Sequence, residues 1–121
     1  MNFNTEKTEK YALIKVKVEK LDSHVSPSLK SELVVINAEG FRNIILDLSE
    51  TRYCDSSGLS AILVGNRLCK NANGSFILSG LQRSVSKLIS ISQLDSILTV
   101  VPTSEEAHDY IALEEVERGN G

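Results

Sequence analysis

Residues 43–69 of the chain read NIILDLSETRYCDSSGLSAILVGNRLC. The first six residues are almost all apolar, which is typical of a strand in a sheet that is covered on both faces. Apolar residues then recur at helical spacing from residue 57 to about residue 71. The segment Asp55-Ser56-Ser57-Gly58-Leu59 lies between them. The sequence therefore predicts that serine hydroxyls lie where a buried strand leads into a helix.

The start of that helix is a favourable place for a phosphate group. The first turn of a helix has backbone N–H groups without intrahelical partners and carries the positive end of the helix dipole. Both stabilise an anion attached there. The residues alone equally allow the commonest role of a serine at this position, which is a helix cap. Ser57 is the candidate phosphorylation site, Ser56 is a second candidate or a cap, and Asp55 is a candidate turn and capping residue.

Strand and helix patterns alternate along the rest of the chain. Alternation of this kind, after an initial hairpin, is typical of an α/β fold with right-handed crossovers. We predict a mixed, mostly parallel sheet of four to five strands with about four helices. The predicted strands cover residues 3–8, 11–19, 43–48, 75–79 and 97–101, and the predicted helices cover residues 25–39, 57–71, 82–90 and 103 onward.

Several residues are predicted to delimit these helices. Asp22, Ser23 or Ser26 could cap the first helix, with Pro27 at its first position and Gly40 after its end. Gly74 or Asn73 is expected to take a positive φ after the central helix. Thr103 and Glu106 fit a capping box for the last helix, with Ala107, Tyr110 and Ile111 on its apolar face, and residues 117–121 are expected to fray.

Two polar loops are predicted to meet at one edge of the sheet. Asp22-Ser23-His24 and Asp55-Ser56-Ser57 each follow a predicted strand. In such sheets the carboxyl ends of parallel strands carry the binding loops. We therefore expect these two loops to be neighbours.

The central helix has apolar residues on two sides. Leu59 and Ile62 lie on one side, and Ala61, Val64 and Leu68 lie on nearly the opposite side, which also carries Ser57. A helix that packs on a sheet needs only one apolar face. Either the next helix covers the second face, or that face docks a partner, and a phosphate would then weaken docking through repulsion and desolvation.

Composition restricts the function classes. A chain of 121 residues suits one domain, predicted to span residues 1–121 with a core at about 10–112. The net charge of −3, without a basic run, argues against nucleic-acid binding. The apolar runs are shorter than the roughly 20 residues that span a bilayer, so we expect no direct membrane insertion. Cys54 and Cys69 lack metal-ligand spacing and are expected to be reduced, buried thiols of a cytoplasmic protein.

At this point the sequence resembles a known family. The resemblance spans roughly residues 10–112 and is carried by three segments, Leu21-Asp22, Ile45-Leu46-Asp47-Leu48-Ser49 and Asp55-Ser56-Ser57-Gly58-Leu59. These segments are similar to the STAS domains of bacterial anti-sigma factor antagonists. The resemblance implies that Ser57 is phosphorylated by the partner, an anti-sigma factor that is a serine kinase with a histidine-kinase-like ATPase fold. It also implies that the unphosphorylated form binds this partner and frees a sigma factor. A PP2C-type phosphatase would remove the phosphate.

The resemblance also assigns a docking site. It implies partner contacts from the two loops and the first turns of the central helix, without catalytic, cofactor-binding or metal-binding residues. These residues are Asp22, Ser23, Asp55, Ser56, Gly58, Ala61 and Val64. The chain departs from the family at Glu19, Lys20 and Ser92-Gln93-Leu94, where a helix-ending glycine is usual, and the last change is expected to cost local stability.

Other functions are less compatible with the sequence. A hydrolase nucleophile elbow needs a glycine two residues before the serine, where this chain has Asp55, and only His24 and His108 could serve as a base. A receiver domain needs a late lysine, and none follows Lys87. Nucleotide binding has no glycine-rich loop to support it. The alternative that stays open is a STAS subunit of a lipid-transport ABC complex or of a larger signalling assembly, in which Ser57 is an interface residue.

Overall fold

A five-stranded sheet forms the centre of the fold. The structure is a computed structural model that describes residues 2–119. Its elements, in chain order, are β1 (Phe3–Lys7), β2 (Ala12–Val16), β3 (Lys20–Leu21), α1 (Ser26–Ala38), β4 (Ile44–Asp47), β5 (Tyr53–Cys54), α2 (Ser56–Asn71), β6 (Phe76–Ser79), α3 (Arg83–Ile91), β7 (Thr99–Val101) and α4 (Ser104–Glu117).

The strand order confirms the predicted α/β class. The sheet runs β1-β2-β4-β6-β7, with β1 antiparallel to β2 and every other pair parallel. Helices α1, α2 and α3 form the crossovers between parallel strands, and α4 is the last element. A separate pair of two-residue strands, β3 and β5, also runs parallel. This pair was not predicted from the sequence, because two residues are too few to show the alternation of apolar and polar residues that is typical of a strand.

Helices cover both faces of the sheet, which explains the apolar run of β4. Ile44 and Leu46 point into the larger core, which includes residues of α1, α2 and α3. Ile45 points to the opposite face, where it packs with Ala107 and Ile111 of α4. All three β4 residues are fully buried. Each such side chain contributes roughly 1.5–3 kcal/mol through burial, so β4 is the strand on which both layers depend.

The second apolar face of α2 is covered by a helix. Ala61 is fully buried in the larger core, and α1 packs along α2. Val64 and Leu68 are partly exposed. The covering helix precedes α2 in the chain, whereas the alternative that predicted cover placed the next helix there.

The predicted side-chain cap of α1 is wrong. The helix begins at Ser26 with Val25 as its N-cap residue, and no side chain caps it. Asp22 instead accepts a hydrogen bond at Oδ1 from the backbone N–H of His24, at 3.0 Å. The backbone carbonyl of Asp22 accepts the N–H groups of Val25 and Ser26. A side-chain cap is not needed, because Pro27 has no N–H and the N–H of Ser28 donates to the Val25 carbonyl at 3.0 Å.

Each of the four described helices ends with a residue in the left-handed region, and Gly119, with a φ of +79°, has this role after α4. Gly40, Asn73 and Gln93 have φ values of +108°, +59° and +60° after α1, α2 and α3. After α1, α2 and α3, the next residue donates its N–H to the carbonyl five residues earlier, as Leu94 does to Ile89 at 3.0 Å. Asn73, and not Gly74, takes the positive φ. Gly74 is needed for space, because a Cβ there would overlap the Arg42 carbonyl.

The replacement Gln93→Gly is expected to stabilise the protein by about 0.5–1 kcal/mol, because glycine adopts a positive φ without the steric cost that glutamine has. Urea unfolding measures the change. The replacement Asn73→Gly is the matched control and should give a smaller gain, since asparagine tolerates this conformation better than glutamine. A Gln93→Gly protein that is less stable than the wild type would contradict the positive φ of Gln93.

The last helix packs as predicted except at one residue. The Thr103 hydroxyl accepts the N–H of Glu106 at 3.1 Å, and Ala107 and Ile111 are buried. Tyr110 is exposed, so its predicted place on the apolar face is wrong. The predicted fraying of residues 117–121 is wrong at Glu117, which is helical, and at Arg118, whose guanidinium donates to Ser75 Oγ at 2.6 Å. Asn120 and Gly121 lie outside the described residues.

Candidate functional site

The β3–β5 pair brings the two predicted loops together. Leu21 is paired with Cys54 in parallel register, and the N–H of Asp55 donates to the Leu21 carbonyl at 3.2 Å. Asp22 and Asp55 therefore leave the two strands side by side. The loops are neighbours, as predicted, but the reason is this second small sheet and not the edge of the main sheet.

Asp55 is the N-cap of α2. Its backbone is extended, and its Oδ1 accepts the N–H of Gly58 at 3.0 Å. The prediction of Asp55 as a capping residue is confirmed. The alternative in which Ser57 or Ser56 caps the helix is wrong, because these serines are the second and first residues of α2.

Ser57 lies between two polar groups. Its hydroxyl donates to Asp55 Oδ1 at 2.6 Å, and its Oγ lies 3.2 Å from Ser26 Oγ. The Ser26 hydroxyl donates to the Asp22 carbonyl at 2.7 Å. Each hydroxyl has one proton. Ser57 and Ser26 can therefore hydrogen-bond to each other only if Ser57 stops donating to Asp55 or Ser26 stops donating to the Asp22 carbonyl.

Ser26 is the site residue that the sequence analysis missed. It was considered only as a helix cap, yet its side chain is buried and connects the Asp22 loop to Ser57. A signal was present, because Ser26 shares the helical stripe of the buried residues Leu29, Leu33 and Ile36. A polar residue on an otherwise apolar stripe must find a partner inside the protein.

The remaining predicted site residues differ in exposure. Ser23, Asp55 and Ser56 are exposed, Asp22 and Val64 are partly exposed, and Ser57 is partly buried. Gly58 and Ala61 are buried. The partner contacts of all these residues stay a prediction, although Ala61 has no exposed surface in the free chain. Gly58 supports the site from below, since a Cβ there would overlap the Leu21 carbonyl and lie 2.7 Å from Cys54 Sγ.

Comparison with known proteins identifies the family. The model of the STAS domain matches residues 2–107. The chain belongs to the STAS domain family. An anti-sigma-B factor antagonist of Staphylococcus aureus (strain NCTC 8325 / PS 47) is 30% identical to this STAS domain over 102 residues, which cover 83% of this chain and 94% of that protein. The resemblance noted from the Asp-Ser-Ser-Gly-Leu segment is thereby confirmed.

Solved structures share the STAS fold. A putative anti-sigma factor antagonist from Thermotoga maritima has a TM-score of 0.81 and 21% identity, covering 91% of this chain and 94% of that one. The anti-sigma factor antagonist SpoIIAA in its unphosphorylated form has a TM-score of 0.79 and 24% identity, covering 91% and 96%. The Bacillus protein SpoIIAA in its phosphorylated form has a TM-score of 0.71 and 24% identity, covering 90% and 98%.

The two histidines of this STAS domain lie against Asp22 and Tyr11. Within residues 2–119, no group of three or more histidine, cysteine, aspartate or glutamate residues is arranged to hold a metal ion. His24 is exposed and its Nδ1 lies 3.7 Å from Asp22 Oδ1. His108 contacts the Tyr11 hydroxyl instead of the site. No helix in this range has the length and hydrophobicity of a membrane span.

The thiol beside the site is unreactive. Cys54 is partly buried, which departs from the expected full burial, whereas Cys69 is buried as expected, and both are free. Burial and, second, the charge of Asp55 raise the pKa of Cys54 to about 12. A thiol with such a pKa stays protonated at neutral pH, so Cys54 fills space under the loop and is not a nucleophile.

The replacement Ser57→Ala should raise the pKa of Asp55. The Ser57 hydroxyl and, next, the Gly58 N–H hold this pKa below its ordinary value of 3.8. A lowered pKa in the folded state contributes stability above pH 3.8 that is lost as the pH falls through the folded-state pKa. Removing the larger cause should return the pKa toward 3.8 and reduce this contribution.

Carboxyl ¹³C chemical shifts followed from pH 2 to 6 would measure this change. The replacement Ser56→Ala is the matched control, since Ser56 is exposed and adjacent. An unchanged Asp55 pKa in the Ser57→Ala protein would show that the Ser57–Asp55 hydrogen bond does not persist in solution.

Proposed function

We propose that this STAS domain is an anti-sigma factor antagonist controlled by phosphorylation of Ser57. The unphosphorylated form binds an anti-sigma factor that is also a serine kinase with a histidine-kinase-like ATPase fold. Binding releases a sigma factor, phosphorylation of Ser57 ends the binding, and a PP2C-type phosphatase restores it. The chain acts in the cytoplasm as an interaction module and has no enzymatic activity of its own.

The observation that carries this proposal is the position of Ser57. Its hydroxyl lies in the first turn of α2, within bonding distance of Asp55 and Ser26, where the two loops form one surface. Ser57 is partly buried, whereas Ser23, Asp55 and Ser56 around it are exposed. A kinase can therefore reach Ser57 from the same surface that a partner would contact.

A phosphate at this position reverses the local electrostatics. The phosphorylated oxygen has no proton, so it cannot donate to Asp55 as the hydroxyl does. Nearly two negative charges would then lie beside the Asp55 carboxylate. The N-terminal turn of α2 carries no acidic residue, so its N–H groups and dipole can stabilise the phosphate in the free protein. The modification would thus be tolerated by the fold but would oppose docking.

The function also has support from the relatives. The Staphylococcus protein that matches most of this chain is an antagonist of the anti-sigma-B factor. SpoIIAA, an antagonist of similar fold, exists in unphosphorylated and phosphorylated forms. The alternative of a STAS subunit in a lipid-transport ABC complex receives no comparable support.

A release assay tests the proposal. The co-encoded ATPase-like protein is purified in complex with its sigma factor, and the unphosphorylated chain is titrated in without ATP. We expect stoichiometric release of the sigma factor on a size-exclusion column. The Ser90→Ala protein, changed at an exposed position in the last turn of α3 and outside the predicted docking site, serves as the control. A sigma factor that stays bound, while the chain copurifies from cell extract with a transporter permease, would contradict the proposal and favour the alternative.

A further inference from the structure

A basic groove lies beside the proposed docking surface. It is an open groove of about 380 Å³ between β5 and the start of α3. Its lining residues are Arg52, Tyr53, Gln82, Arg83, Ser84 and Lys87. Gln82 anchors one wall, because its Nε2 donates to the Ser49 carbonyl at 2.7 Å.

The groove is positively charged in a chain of net negative charge. Arg52 lies above the Tyr53 ring at 5.6 Å and approaches only Glu19, at 3.4 Å, with both charged side chains exposed. Within residues 2–119, Arg83 and Lys87 have no ion-pair partner within 4.0 Å. The whole chain has a net charge of −3. Of the three cations in the groove, Arg52 is paired with Glu19, whereas Arg83 and Lys87 carry positive charge that no acidic side chain of the described residues neutralises.

This arrangement is electrostatically unfavourable in the free protein. Arg83 and Lys87 are four residues apart in α3 and lie on the same face of the helix, where like charges repel each other. Arg83 is also the first residue of α3, at the positive end of the helix dipole, and no acidic residue lies in that turn. Unfavourable charge placement of this kind is typical of residues that serve binding. An acidic group in the groove would relieve both repulsions.

The groove is continuous with the switch. Tyr53 lines it and belongs to β5, the strand that leads through Cys54 into the N-cap Asp55. The Tyr53 ring is 46% exposed. Tyrosine and arginine are the residue types that most often anchor protein interfaces. A partner that covers Ser57 would therefore reach Arg52, Tyr53 and the first turns of α3 without a gap.

We infer that this groove binds an acidic segment of the anti-sigma factor kinase, as the second half of the docking surface. The inference rests on the proposed function. The carboxylates of that segment pair with Arg52, Arg83 and Lys87, and an apolar part of it packs on Tyr53. The groove thereby selects partners by charge, and it speeds their association at low salt.

Charge reversal tests the groove. The double replacement Arg83→Glu with Lys87→Glu should raise the Kd for the ATPase-like partner at least about tenfold in 0.15 M salt. The salt dependence of the Kd should also flatten, because fewer charge pairs form in the complex. The thermal midpoint should be nearly unchanged, since two glutamates at this spacing repel each other as the two cations do, while a negative charge in the first turn of α3 is favoured by the helix dipole. Surface plasmon resonance at three salt concentrations gives both quantities.

A matched control separates the groove from overall charge. The replacements Arg67→Glu and Lys70→Glu change the net charge equally, at exposed positions near the far end of α2. They should change the Kd less than threefold. The inferred role of the groove would be overturned if both double variants lost the same affinity for the partner, or if neither lost any. If neither the wild type nor any variant binds the partner, the proposed function itself fails. Wild-type binding that the groove variant fully retains overturns only the present inference.

Discussion

The Kd for the anti-sigma factor partner should rise about a hundredfold when Ser57 carries a phosphate. The hydroxyl donates to Asp55 at 2.6 Å in the unphosphorylated protein. The phosphate removes this donor and adds nearly two negative charges to the surface that must be desolvated on docking. Like charges brought together in an interface cost several kcal/mol. About 2.7 kcal/mol of lost binding free energy corresponds to a hundredfold change in Kd.

The comparison needs homogeneous samples of the protein in both states. The singly phosphorylated form can be separated by anion exchange and compared with the unphosphorylated form by calorimetric titration of the partner. The Ser57→Ala protein should bind within about fivefold of the wild type, because it removes one hydrogen bond and adds no charge. A phosphorylated protein that binds as tightly as the unphosphorylated form would refute the switch.

The replacement Gly58→Ala should destabilise the fold by about 2 kcal/mol, although alanine is intrinsically the better helix former. A Cβ at Gly58 would overlap the Leu21 carbonyl and lie 2.7 Å from Cys54 Sγ and 2.9 Å from Leu21 Cγ. These atoms belong to the β3–β5 ladder, and a backbone carbonyl cannot turn away as a flexible side chain can. The ladder must therefore separate from α2.

The same displacement should weaken partner binding, because the ladder sets the distance between the Asp22 and Asp55 loops. Urea unfolding with an unchanged slope would measure the stability. The replacement Ser60→Ala, at an exposed position of α2, is the matched control and should change stability by less than about 0.5 kcal/mol. A Gly58→Ala protein as stable as the wild type would show that the junction of β5 and α2 is looser than described.

The main sheet and its helices could be predicted from sequence because each element carries a period. The apolar run Ile44-Ile45-Leu46 requires cover on two faces, and the structure provides it. Val25, Leu29, Leu33 and Ile36 lie inward at helical spacing, as expected. Such patterns arise because burial acts on every residue of a long element.

Contacts between distant segments left no such pattern. The β3–β5 pair joins residues that are 33 positions apart in the chain, as in the pairing of Lys20 with Tyr53. Neither strand is long enough to alternate. The role of Ser26 depends on the same approach, since its hydroxyl meets Ser57 only after the two loops are joined. Spacing could identify Ser57 as a candidate, but it could not identify the group that lies beside it.

The two faces of α2 show where periodicity is ambiguous. Ala61 and Val64 share the side that carries Ser57, so the sequence allowed either cover or exposure for both. The structure buries Ala61 and leaves Val64 partly exposed. Period alone therefore does not separate the buried residues of this face from the exposed ones.

Intact-mass spectrometry after incubation with ATP and the co-encoded ATPase-like partner tests the central claim most directly, with wild type and the Ser57→Ala and Ser56→Ala proteins side by side. We expect the mass of one phosphate on the wild type and on the Ser56→Ala protein, and none on the Ser57→Ala protein. A urea-unfolding transition of the Ser57→Ala protein would confirm that it is folded. A Ser57→Ala protein that gains a phosphate as fast as the wild type would contradict the assignment of Ser57 as the switch.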